Sequence, residues 1–287
     1  MEQFASGPKR NYYGKGDVVV YRLHRDGAVP AGRSPVFGAN VMLLVYGDAF
    51  WPTYTTGDNT ALIATDSMKN FIQRETMQFE GFDLEPYCRF LAEKFLTTYP
   101  HTGGAQVTAV EMPYACLPSS TVAFAPCGPE RAWARVELVR QGEDLMTAEV
   151  RSGLRGFKLL RLGGSSFRGF VRDQYTTLPD IANRPLHMWL DLDWSYVDDD
   201  EAMTGGMLAS CVRKLVHDTF HQFESGSIQE VIYLIGSRML QELPAIAEVR
   251  LEADNRTWDT VVEQGETLGV YTDPRPPYGC LGLTLRR

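Results

Sequence analysis

One order of patterned segments occurs twice along the chain, and this repeat limits the fold more than any other feature. The β-branched and aromatic runs at 18–23 and 39–46 come first, and such side chains suit a pleated, half-buried strand. A Gly, Pro, Asp and Ser-containing loop over 24–38 joins them. A turn at Gly57-Asp58-Asn59 leads to a short strand expected over 60–65, with a helix start at Asp66-Ser67. Two helices follow. In the second, Leu84, Tyr87, Cys88, Leu91 and Phe95 share one face, close to the 3.6-residue period. Asp83 is placed to cap it, and Pro86 suits its first turn. Strands are expected again over 105–110, 132–138 and 145–151, with a Pro- and Ser-rich loop at 113–130.

The second half keeps the plan. Strands are expected over 157–162, 167–171 and 186–194, then a helix over 203–223 striped by Met207, Leu208, Cys211, Val212, Leu215, Val216 and Phe220. A second helix opens at Ser227, where Ser227 and Glu230 have capping-box spacing. Its core face is Ile228, Val231, Ile232, Ile235, Met239 and Leu243, and closing strands are expected over 245–251 and 268–271. The halves share this order without sequence identity. The pattern predicts an α+β chain of two tandem antiparallel-sheet units, 1–155 and 156–287, each with two helices on one face. Four-stranded antiparallel units leave open edges, which proteins manage by pairing or covering them, so an oligomer that closes its sheets across subunits is expected.

Charge and cysteine usage narrow the function. The net charge of −8 over 287 residues has no basic stripe of the kind nucleic acid demands. There is no run of 18 apolar residues and no apolar leader in the first thirteen, so neither a membrane span nor an export signal is expected and the protein is placed in the cytoplasm. Five cysteines without a CxxC fit reduced thiols, with Cys88 and Cys211 expected in the core. Asp198-Asp199-Asp200 lacks the alternation of a calcium loop. His217 and His221 lack a recognisable third ligand, so no metal is expected.

The chemistry concentrates in 165–184, SSFRGFVRDQYTTLPDIANR. Phe167 supplies a flat apolar face and Arg184 a planar fork of donors. A flat, anionic, hydrogen-bonding heterocycle calls for that pairing of stacking platform and bidentate clamp.

Four separated motifs together resemble the urate oxidase (uricase) family. They are Tyr13-Gly14-Lys15; Gly57-Asp58-Asn59 followed by Ala64-Thr65-Asp66-Ser67-Met68-Lys69-Asn70; the run from Ser166 to Leu178 with Arg184 after it; and Ser227-Ile228-Gln229 opening a helix. The resemblance implies the tunnelling fold, two chains closing a barrel, two barrels stacking as a homotetramer, and active sites between subunits. It implies oxidation of urate by dioxygen to 5-hydroxyisourate and hydrogen peroxide without metal or organic cofactor. It assigns Lys15 and Thr65 to a proton relay and the Asp66 backbone amide to the purine. Phe167 would stack on the ring, Arg184 would grip it bidentately, and Gln229 and the Ile228 amide would bind the opposite edge. Asn255 would lie by the dioxygen or peroxide position.

The sequence departs from the family near that last residue. The family's Asn-x-His reads Asn255-Arg256-Thr257 here. Thr257 stands where an imidazole would complete the relay, and a hydroxyl cannot change charge near neutral pH. The family's histidine-containing loop is absent from 113–124, and the end is Pro-rich. Three readings follow: urate oxidation through an altered relay, oxidation of a related heterocycle such as a methylated urate or 8-oxopurine, and purine binding without turnover. The Lys15–Thr65 pair argues against the last, since binding alone does not need a relay.

Overall fold

The computed structural model describes residues 11–204, 207–265 and 267–287. The chain divides into two compact units: residues up to Gly153 with 196–207, and 154–195 with 208–287.

The first unit opens with β1 (Tyr13–Leu23) and β2 (Val36–Tyr46), then α1 (Trp51–Thr55), α2 (Thr65–Glu75) and α3 (Leu84–Thr98). It continues with β3 (Gly104–Glu111), β4 (Tyr114–Cys116), β5 (Phe124–Pro126), β6 (Arg131–Gln141) and the first part of β7 (Asp144–Arg161). Its sheet order is β1-β2-β3-β6-β7. β2 pairs antiparallel with β1 and β3, and β3 with β6. Inward residues alternate as strands require: Val41, Leu43 and Val45 on β2, Ala105, Val107 and Ala109 on β3, and Ala134, Val136 and Leu138 on β6. α3 covers β3 and β6, while α2 lies against β1. The expected face of α3 is buried throughout. Asp83 stands at its N-cap without a side-chain cap bond, because both carboxylate oxygens accept from Arg33 at 2.7 and 2.6 Å.

The second unit holds the last part of β7, then β8 (Leu186–Tyr196), α4 (Leu208–Gln222), α5 (Ile228–Glu242) and β9 (Ile246–Arg256). β10 (Thr260–Gln264), β11 (Leu268–Tyr271) and β12 (Gly279–Arg286) complete it. The order is β7-β8-β9-β12, with α5 packed on β9 and β12 beside α4. Gly236 lets α5 approach closely, since a Cβ there would stand 2.9 Å from Leu285 and 3.0 Å from Leu251.

Several expectations change. Residues 60–64 form a turn and coil, not a strand, because Asp58 ties Thr60 back through its amide (2.9 Å) and hydroxyl. The strands expected over 145–151 and 157–162 are one strand of 18 residues. The 167–171 segment is not a strand but a loop pinned by isolated bridges. The helix expected over 203–223 begins at Leu208, after a 3-10 turn at Glu201–Thr204; 205 and 206 lie outside the described residues. Its buried stripe is Val212, Leu215, Val216, Thr219 and Phe220, which leaves Cys211 at the margin and exposed. β11 pairs only with β10, so the closing strand is β12. The 113–130 loop carries the β4–β5 ribbon. Among the described residues no helix is long and apolar enough to cross a membrane, and no three His, Cys, Asp or Glu gather as for a metal ion.

Candidate active site

In the first unit the candidate residues converge on a bulge in β1. Lys15 is opposite Leu43 and Val18 opposite Val41, so three steps on β1 match two on β2. Directly opposed residues share a face, and a bulge resets the alternation. Lys15 therefore points to the same side as the buried Leu43, the side on which α2 lies. Asp17 makes the bulge with φ 58° and accepts from Asn40 at 2.7 Å. Gly14 is required beside it, since a Cβ would meet the Leu43 carbonyl oxygen at 1.9 Å.

Tyr13 fixes the other side. Its ring meets Phe50 edge-on at 5.0 Å, and its hydroxyl accepts from the Ile63 amide at 2.9 Å. That bond sets the entry to α2. Ala64 is the N-cap and offers no side-chain cap, so the first-turn amides of Thr65 and Asp66 have no intrahelical partner. The Asp66 carboxylate is occupied by Lys69 at 2.5 Å and Asn70 at 3.0 Å. Lys69, chiefly by hydrogen bonding and then by charge, holds that carboxyl below its ordinary range, with a smaller contribution from Lys15. The Lys15 side chain is half-buried.

In the second unit the candidates gather at the N-terminus of α5. Ser166 donates to the Ser225 carbonyl at 2.8 Å, just before the helix. Phe167 and Ile181 exchange both backbone bonds, at 2.8 and 2.9 Å, and the Arg184 amide donates to Ser165 at 2.8 Å. This ladder folds 165–184 into a loop with Phe167 and Arg184 side by side. The guanidinium carbon lies 5.7 Å from the Phe167 ring centre, and Phe170 stacks on that ring at 4.9 Å. The Arg184 Nε is buried without a hydrogen-bond partner, and burial pulls this guanidinium below its ordinary pKa.

Ser227 caps α5 by accepting from Glu230 at 3.2 Å; the Glu230 carboxylate returns to the Gly226 amide at 2.7 Å, one residue earlier than a capping box requires. Ile228 is buried and Gln229 exposed, and their first-turn amides have no intrahelical partner. α5 spans about 21 Å at 1.5 Å per residue, and β9 returns along it at about 3.3 Å per residue. Asn255, near the end of β9, is thus carried back past the start of α5. It shares a parity with the buried Val249, Leu251 and Ala253. Thr257 lies beyond the strand end and is exposed.

The structure thus groups Lys15, Thr65 and Asp66 in one unit and Phe167, Arg184, Ile228, Gln229 and Asn255 in the other, with Thr257 at the margin of the second set. Sequence reasoning missed Arg161. Its guanidinium donates to the Phe220 and Phe223 carbonyls at 3.0 and 2.6 Å, and to the Gly164 carbonyl and Ser225 hydroxyl at 2.9 and 2.6 Å. It binds the end of α4 to the loop that carries Phe167. A lone arginine at a strand end gave no signal of this.

A family model described as Uricase matches residues 150–280. The uricase of Haloferax volcanii is 36% identical, with 96% of this chain and 97% of the relative covered. The uric acid degradation bifunctional protein PucL of Bacillus subtilis is 38% identical over 96% of this chain, which spans only 60% of that relative's length. The crystal structure of urate oxidase from Bacillus sp. TB-90 superposes with a TM-score of 0.88 at 36% identity, covering 96% of this chain and 100% of the other.

Proposed function

The chain belongs to the uricase family, and from that premise we propose that it oxidises urate with dioxygen and water to 5-hydroxyisourate and hydrogen peroxide. The observation that carries this reading is the pairing of Phe167 with Arg184, whose buried Nε lacks a partner. A buried cationic donor left unpaired is costly. A planar anion stacked on Phe167 relieves that cost by accepting from the guanidinium in a bidentate bond. The free amide of Ile228 and the Gln229 side chain supply donors for the opposite edge.

Lys15 and Thr65 form the proton relay. A neutral amine accepts a proton, and a hydroxyl both accepts and donates one. Removing protons from urate makes the ring electron-rich enough to reduce dioxygen itself, so the protein need only deprotonate, hold and shield it. No metal or organic cofactor takes part. Asp66 offers its backbone amide, Asn255 holds the dioxygen or peroxide, and Thr257 replaces the family histidine at the end of the relay. Each chain contributes two tandem units, 1–155 and 156–287, and the active sites lie between subunits in a homotetramer of two stacked barrels. β1 and β12 are edge strands, open to such closure.

The test is metal-stripped protein given urate under air and under argon, with urate absorbance and peroxide followed together. Oxygen-dependent loss of urate with stoichiometric peroxide is expected. Binding without loss overturns the reading, and turnover of methylated urates or 8-oxopurines in place of urate redirects it.

A further inference from the structure

The segment that carries Asn255 is anchored by its neighbour. Arg256 lies between two aromatic rings: its guanidinium carbon is 3.9 Å from the ring centre of Trp189 on β8 and 3.7 Å from that of Tyr278, just before β12. Its Nη2 donates to Asp254 at 2.6 Å. The side chain is 9% exposed, and its Nε has no partner. A planar cation stacked on both faces is held in orientation as well as place, because lateral movement loses ring contact on both sides. The clamp joins three strands at one level, since Gly279 at the start of β12 pairs with Asn255.

Successive strand residues point to opposite faces. Asp254 and Arg256 therefore face one side of the sheet, and Asn255 faces the other, where α5 packs. The Asn255 side chain makes no hydrogen bond among the described residues, so its direction is set by the backbone. We propose that Arg256, clamped between Trp189 and Tyr278, is a positioning residue that aims Asn255 at the oxidant. This rests on the urate-oxidising reading above. A misplacement of the order of an ångström at such a group lowers the rate of the oxygen step while leaving the purine contacts at Phe167, Arg184 and Gln229 in place.

The experiment is a double-mutant cycle with Arg256→Met and Asn255→Ala, reading kcat with urate and the Kd of xanthine, which shares urate's fused ring. Arg256→Met in the wild-type background is expected to lower kcat about ten- to a hundredfold, as loss of a supporting partner does at other sites, with the xanthine Kd unchanged. In the Asn255→Ala background it is expected to cost nothing further. Trp189→Phe, which keeps a stacking face, is expected to retain most activity. Equal losses in both backgrounds, or xanthine binding that weakens in step with kcat, overturn the positioning role alone. If Arg256→Met does not fold, Tyr278→Ala removes one face of the clamp at an exposed ring and completes the same cycle. A wild-type protein that leaves urate intact overturns the reading of function, and the inference with it.

Discussion

The Tyr13 hydroxyl accepts a hydrogen bond from the Ile63 amide at 2.9 Å, and so ties the strand that carries Lys15 to the turn that delivers Thr65. Burial raises the Tyr13 pKa, so the group stays a neutral hydroxyl. Tyr13→Phe keeps the ring against Phe50 and leaves the buried Ile63 amide unpaired. An unpaired buried amide costs about 1–3 kcal/mol. We expect a loss of that size in urea unfolding and a fall in kcat, with xanthine affinity unchanged. Wild-type stability in the variant would show that water replaces the bond.

Lys15→Met preserves the length of the side chain and removes its proton-accepting group. Since Lys15 is not among the groups proposed to grip the purine, we expect urate turnover to be abolished while xanthine still binds with near wild-type affinity. Full activity in this variant would remove Lys15 from the relay.

The long helices α3 and α5 were legible in the sequence and the loops were not, for a physical reason. The stripes on α3 and α5 are local 3.6-residue patterns, and the Ser227 cap acts over three residues. The direction of Lys15 depends on a bulge that exists only because β1 pairs with β2. The 167–171 segment reads as a strand from its aromatics, yet Phe167 pairs with Ile181 and Ser166 just before it with Ser225, which a local window does not join. β12 was missed because Gly279 and Gly282 interrupt its pattern. The candidate site residues were named from motifs that resemble a family, whereas the clamp on Arg256 joins β8, β9 and the start of β12, and nothing in the order of residues points to it.

Glu85 gives the first unit a pH dependence. Its Oε1 accepts from the Ser152 and Tyr196 hydroxyls at 2.6 and 3.0 Å. Burial raises its pKa above the ordinary carboxyl range, more than those bonds lower it. A carboxyl whose folded pKa is raised stabilises the fold fully below the unfolded value and loses that stabilisation as pH rises through the folded one. Glu85→Gln removes the ionisation. The stability of Glu85→Gln relative to the wild type is therefore expected to increase as pH rises from about 4.5 toward neutrality. Denaturation series in steps of pH measure this, and a constant difference would contradict it.

Thr257→His restores an imidazole at the exposed position beyond β9. An imidazole titrates near pH 6.5, where a threonine hydroxyl does not. We expect higher urate turnover and a new limb in the pH profile of kcat close to that value. Kinetics identical to the wild type at every pH would mean that position 257 does not face the relay.

Arg184→Met separates stability from binding. In the free protein the guanidinium is half-buried and its Nε lacks a partner, so the residue is held at a cost that only an anionic ligand relieves. Methionine fills a similar volume beside Phe167 without that cost. We expect the melting temperature of the free protein to stay level or rise. Removing hydrogen bonds from a charged donor weakens binding by about 1.5–3 kcal/mol, which is roughly a ten- to 150-fold rise in the urate KM. A fall in melting temperature with KM unchanged would mean that Arg184 serves the loop rather than the ligand.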